Sequence, residues 1–435
     1  MLTTHVLLVR SYLFSFAAPV SSHKSKHKLF TRKHVLKHTK AINSYFIAVL
    51  WVGHCGVLGR YEYITRGLTK DSATFMLHAL RPTVLSAASK MSAVKKVERL
   101  SFPFQTPDPF LFAVYHDDKY PPGDGQMRAP RRGNGADFNP SAEYRMYHGE
   151  RVPGFPQHPH RGFETITATM EGLVDHTDSV GNAGRYGQGD VQWMTAGKGI
   201  VHGEMFPLVN DDAPNPLRLF QIWLNLPAAS KMVDTAFVMH WAEDVRTVSD
   251  AEAGYTLVVW AGECVGCAGQ PPPPHSWAAD PNNDVSVYFI TVNPGGSFTI
   301  PPSKIGADSN RTTYFFEGDE ASIDSTEIPA KSAVTMDASV GATITVPSSA
   351  STPALLLVLQ GRPIGEPVAQ HGPFVMNTRE EINTAFSDYQ ATRFGGWPWP
   401  EDAVVFPKDK GRFALVDGSE MRPPGYATSR AKEDL

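Results

Sequence analysis

Gly154-Phe155-Pro156-Gln157-His158-Pro159-His160-Arg161-Gly162-Phe163-Glu164-Thr165-Ile166 sets two imidazoles two positions apart, and Ile200-Val201-His202-Gly203-Glu204-Met205 sets an imidazole and a carboxylate at the same spacing. Alternate side chains of a β-strand share a face, so each pair points toward one interior point. Two such strands facing each other make a pocket of three imidazoles and one carboxylate. That donor set suits a divalent first-row metal, and four protein ligands on an octahedral ion leave two positions open for substrate or oxygen. The composition agrees with strands, because 36 Gly and 35 Pro favour many short strands joined by turns over long helices. An all-β protein is expected.

The chain has 435 residues, more than one hydrophobic core usually serves, and 42% hydrophobic residues are ample for two. Its net charge of -4 conceals a division: residues 1–90 hold 13 Lys and Arg against Glu62 and Asp71, a net of +11, and the remainder carries -15. A basic, acid-poor start resembles a mitochondrial presequence. The alternative is that residues 1–90 are not part of the working protein, since Met91-Ser92-Ala93 offers a second start. The apolar run Tyr45–Gly59 falls short of the roughly twenty residues needed to cross a bilayer, so no membrane anchor is expected. Three cysteines argue against a disulfide scaffold and for a reducing compartment. Cys264-Val265-Gly266-Cys267 lacks the second ligand pair of a zinc site. The protein is expected in the cytoplasm or nucleus, or in mitochondria if the leader is translated.

Strand-like stretches succeed one another from Lys95. Thr165–Met170 is β-favouring, Glu171-Gly172 reads as a turn, and Leu217–Leu226 is a strongly apolar strand ending at Pro227. Between them Tyr120–Asn139, rich in Gly, Pro and Arg, reads as a long exposed loop. A second β-rich block runs from Tyr255 to Leu359 and has no His between His275 and His371. The expected division is 91–245 for a first barrel bearing the ligands, 246–395 for a second without them, and 396–435 for an extended tail. Thr378-Arg379-Glu380-Glu381 is a capping box, and Ile382, Ala385, Phe386 and Tyr389 follow at helical spacing. One helix is therefore expected near the end.

Several residues compete for the pocket. His148-Gly149-Glu150 and His176-Thr177-Asp178 repeat the imidazole–acid spacing of His202-Gly203-Glu204 and rank lower, although spacing alone does not separate the three. Glu164 is the stronger rival, lying four residues beyond His160 in a spacing that itself serves as a ligand pattern. The residues alone leave the choice between Glu164 and Glu204 open.

A family resemblance bears on that choice. Gly154, His158, His160, Glu164 and Gly172 resemble the first motif of the cupin barrels, and His158–Ile166 looks like the pirin branch of that superfamily. Gly189–Met205 resembles the second pirin motif almost throughout, and Gln370–Thr378 resembles its C-terminal segment. The resemblance implies two cupin barrels in tandem with a C-terminal helix. It implies one iron per chain in the first barrel, held by His158, His160, His202 and Glu204, with Glu164 only a neighbour. Other first-row divalent ions tolerate the same ligands.

The resemblance carries two functions of different classes. One is a quercetin 2,3-dioxygenase, opening flavonol rings with O2. The other is a non-catalytic, redox-sensitive cofactor that binds a transcription-factor protein. The first needs open metal positions, a base and an apolar cavity. Glu204, loosened from the metal, would take the proton of the flavonol 3-hydroxyl, with Phe163, Trp193 and Met194 as cavity wall. The second needs a surface, for which Arg161 and the Arg128, Arg131 and Arg132 group are candidates. The acidic balance after residue 90 excludes direct nucleic-acid binding, which requires a positive face. A monomer is expected.

Overall fold

The computed structural model describes residues 92–132, 138–139 and 141–425. The basic leader, with the apolar run at 45–59 and Cys55, lies outside the described residues. The chain opens with β1 (Val94–Arg99), β2 (Phe104–Gln105), β3 (Phe110–Tyr120), β4 (Gly154–His160), β5 (Phe163–Glu171) and β6 (Leu173–Asp178). It continues with β7 (Ala183–Gly187), β8 (Val191–Thr195), β9 (Ile200–Met205), β10 (Asn215–Asn225) and β11 (Ala236–His240).

Two antiparallel sheets build the first barrel. One runs β11-β8-β5-β10-β3-β2, and the other contains β7-β6-β9-β4 with β4 at its edge. The apolar run of Leu217–Leu226 follows from burial on both faces, as expected of a strand between two layers. Phe220, Ile222 and Leu224 of β10 join Ile166 and Ala168 of β5 in a core shared with Trp260, Val287, Phe289 and Leu357 of the second barrel. The alternate residues, Phe163, Thr165 and Thr167 of β5 with Gln221 and Trp223 of β10, point into the first barrel.

The second barrel has a seven-stranded sheet that includes Arg246–Asp250, Tyr255–Ala261, Ser286–Val292, Asn310–Glu317 and Ala354–Gly361. A four-stranded sheet of Ser297–Ile300, Glu320–Ile323, Thr326–Pro329 and Ala342–Thr345 accompanies it. Leu257, Ile290, Phe298, Val334, Ile344 and Leu356 fill its interior.

The expected helix forms as α1 (Arg379–Thr392), with Thr378 and Glu381 closing a reciprocal capping box. Its buried Ile382 and Ala385 pack on Phe374 and Met376. Among the described residues no helix is long and apolar enough to cross a membrane.

The structure corrects the sequence reading in three places. β1, expected in the first barrel, pairs with Ser332–Asp337 and so belongs to the second barrel's sheet. The segment after Gly395, expected to be extended, docks on the first barrel, where Phe413–Val416 adds a strand beside β7. Buried charges hold it there: Arg185, paired with Asp175, also donates to the carbonyls of Phe406 and Pro407, and Arg412 pairs with Asp190. Of the loop expected to be exposed, Tyr120 and Ala129 are buried in the first barrel's core.

Candidate metal centre

β4 and β9 are neighbours in one sheet, where the sequence reading set them facing each other. Antiparallel pairing puts His158 directly opposite His202, and a register shift between Phe155 and His158 sets that alignment. Ring centroids are 4.4 Å apart for His158 and His202, 4.8 Å for His158 and His160, and 4.9 Å for His160 and His202. One ligand nitrogen from each lies within 4.8 Å of the others, and this is the one such group of three among the described residues.

His160 and His202 are buried and His158 is half-buried. Burial depresses the pKa of His158 to about 4. Burial and the neighbouring imidazoles hold those of His160 and His202 well below the usual histidine range. All three rings are thus neutral near pH 7, the form that binds a metal. The backbone sets their orientation. Nδ1 of His158 lies 2.9 Å from the Pro156 carbonyl and Nδ1 of His160 lies 3.3 Å from that of Pro373. With Nδ1–H donated to a carbonyl, each ring keeps Nε2 as a lone-pair donor. His202, fully buried, has no hydrogen-bond partner for either nitrogen. A buried polar group without a partner costs about 1–3 kcal/mol, and a cation among the three rings would remove that cost at the nitrogen it binds. The residues therefore fit a divalent metal.

Glu204 follows His202 on the same face of β9, but its carboxylate stands outside the group of three. It accepts hydrogen bonds from Gln221 Nε2 at 2.8 Å, Thr167 Oγ1 at 3.2 Å and the Tyr186 hydroxyl at 3.5 Å. Burial raises its pKa above the ordinary carboxylate value. Here a buried carboxylate is held by neutral donors beside three imidazoles.

Glu164 does not share this space. It occupies the other face of β5, where Thr195 Oγ1 at 2.6 Å and Ser276 Oγ at 2.5 Å donate to it. Ser276 belongs to the second barrel's part of the chain, so this carboxylate bolts two layers together. Burial pushes its pKa up to about 7.

Of the expected wall, Phe163 is in place, its ring 5.0 Å from that of His160. Trp193 instead faces the core between the barrels, and Met194 packs with Ala196 and Ile200. Trp223 supplies the indole, 5.2 Å from His160 and stacked at 4.0 Å on Phe163, with Phe112 at 4.2 Å on its own ring. Periodicity along β10, which points Trp223 inward with Gln221, was the signal for it.

His176 and Asp178, which share the imidazole–acid spacing of His202 and Glu204, also reach the site. β6 runs antiparallel to β9, so His176 opposes Glu204 and Asp178 opposes His202. The His176 ring lies 5.4 Å from His202. Arg161, offered as a surface residue, is 5% exposed and tied down by Asp388 and the Lys198 carbonyl.

Comparison with known proteins agrees with this architecture. The Pirin family pattern matches residues 99–224, and that of the Pirin C-terminal cupin domain matches residues 287–395. A pirin-like protein of Caulobacter vibrioides is 40% identical over 242 residues, covering 55% of this chain and 80% of that protein. A candidate quercetin 2,3-dioxygenase of Pseudomonas aeruginosa is 36% identical over 241 residues, covering 55% of this chain and 79% of that one. The crystal structure of a quercetin 2,3-dioxygenase from Acinetobacter baumannii superposes with a TM-score of 0.53 at 27% identity, over 70% of this chain and 96% of that one. With paired barrels, three convergent imidazoles in the first, and both sequence patterns matched in order, the chain belongs to the pirin family.

Proposed function

We propose that this protein is a metal-dependent dioxygenase that opens the central ring of flavonols such as quercetin. The convergence of His158, His160 and His202 beneath the Phe163–Trp223 wall carries the proposal. Iron, or another first-row divalent ion, held by these residues and Glu204 would acidify the flavonol 3-hydroxyl and mediate electron transfer to O2.

The chain's own residues have distinct tasks in this reading. Trp223 and the half-buried Phe112, backed by the fully buried Phe163, would offer an apolar face to a planar substrate and keep water from it. Glu204, its proton affinity increased by burial, accepts the proton of the 3-hydroxyl once it loosens from the metal. Gln221, Thr167 and Tyr186 hold that carboxylate in place before and after the transfer. Anaerobic loading with Fe(II), followed by oxygen uptake on adding quercetin, tests the reading. Turnover that His160→Ala abolishes is the expected result. Bound iron without turnover would overturn it in favour of the redox-sensitive cofactor that binds a transcription-factor protein.

A further inference from the structure

β4 carries two of the three imidazoles, yet it is the outer strand of its sheet and has β9 as its one strand partner. An outer strand with one paired edge is the least constrained element of a sheet. At Gly154 its free edge meets the backbone of Met146 and His148, and beside the two imidazoles that edge is occupied by residues from the far end of the chain. One residue before His158, the backbone N–H of Gln157 donates to the Asp402 carbonyl at 2.8 Å, and its side-chain amide donates to Asp402 Oδ1 at 2.8 Å. One residue after His160, the Arg161 carbonyl accepts from Val375 N–H at 3.0 Å, and its guanidinium donates to Asp388 Oδ2 at 2.7 Å. The same guanidinium lies over the Phe394 ring at 4.5 Å. Between these two pins, Pro373 supplies the carbonyl that orients His160.

A further set of contacts carries the clamp onto the neighbouring strands. Trp399 Nε1 donates to the Asp178 carbonyl of β6 at 2.8 Å. Gly199, at φ +132° just before β9, admits Phe394 so closely that a Cβ there would fall 2.6 Å from the ring. Trp399 and Asp402 lie beyond residue 395, where the match to the C-terminal family pattern ends.

We propose that residues 373–402 clamp His158-Pro159-His160 in ligand register, so that metal affinity and docking of this segment are energetically coupled. Asp388 and Asp402 are positioning residues: neither touches the imidazoles, and each fixes a residue adjoining one. Coupling of this kind is reciprocal, so whatever factor docking contributes to metal affinity, metal returns to docking. The inference rests on the reading of the three imidazoles as a metal site.

The test uses the full chain, with nickel(II) as probe. Chelator competition gives the affinity of wild type, Asp388→Ala, Asp402→Ala and, as a control on the exposed tail hairpin, Glu420→Ala. Limited proteolysis within residues 373–402 is timed with and without nickel. Asp388→Ala is expected to weaken nickel binding roughly tenfold, the scale seen on losing groups that orient metal ligands. Asp402→Ala should weaken it less, because its backbone carbonyl remains, and Glu420→Ala should not change it. Nickel should slow cleavage in wild type, and less so in Asp388→Ala. If Asp388→Ala does not fold, Asp402→Ala, altered at an exposed side chain, still decides. Wild-type affinity in the folded variants, or cleavage indifferent to nickel, would overturn the coupling and leave the metal site standing. A wild-type chain that binds no nickel would overturn both.

Discussion

The two barrels share an architecture and differ in what fills them. Toward the centre of the first point His158, His160, His202, Glu204, His176, Thr167 and Gln221. Toward the centre of the second point Leu257, Ile290, Phe298, Ile344 and Leu356. Buried polar groups oppose folding unless partnered, so the first interior is the less stable filling for the same shell. Function here resides in side chains placed on one of two similar scaffolds, not in the scaffold itself.

Four substitutions test this contrast, and the largest effect belongs to the first barrel. His160→Ala should lower metal affinity more than about a hundredfold and abolish oxygen uptake with quercetin while leaving the melting transition in place. A lost fold would mean that the imidazoles are ordinary core residues. Next, Leu356→Ala in the second barrel should cost about 3 kcal/mol of stability in denaturant titrations, with metal affinity per folded molecule unchanged. A parallel fall in affinity would show that the fillings are not independent.

Within the first barrel, Gln221→Leu removes the shortest hydrogen bond to Glu204 and should reduce turnover about tenfold without unfolding the protein. Unchanged kcat would remove Glu204 from the proposed proton transfer. The smallest effect is a slope. Glu164 ionises with a pKa of about 7 in the folded chain against 4.5 as the ordinary value, so the folded state holds its proton more tightly. Its contribution to stability is complete below pH 4.5 and is lost as pH rises through 7. Glu164→Gln, which keeps an acceptor for Thr195 or Ser276, should flatten that slope in melting curves between pH 5 and 8 (about the span of the shift). An unaltered slope would place the titration elsewhere.

The strands and the pair His158 and His160 were legible because each sits in a short segment whose period is its own evidence, whereas His202, one of three imidazoles followed two residues later by an acid, was singled out by the family resemblance. The capping box at Thr378 and Glu381 was local for the same reason. Glu164 was harder. Gly162, at φ +86°, breaks the strand between His160 and Phe163, so parity counted from His160 does not carry across. Trp193 misled because β8 is buried on both faces, and apolar character cannot then tell inside from outside. His176 reaches the site only through antiparallel pairing of β6 with β9, which spacing within either strand does not encode. The docking of β1 and of residues after Gly395 depends on partners more than two hundred positions away, such as Gln157 with Asp402, 245 apart.

Those exchanged ends bear on how the chain is made. The second barrel's sheet requires a strand synthesised before the first barrel, and the first barrel's sheet requires Phe413–Val416, synthesised after the second. The second barrel's sheet has its full set of strands only after Ala354–Gly361 is made, and the first barrel's only after Phe413–Val416 follows. The nascent His-Pro-His segment waits for more than two hundred further residues before Val375 and Asp402 reach the positions that flank it.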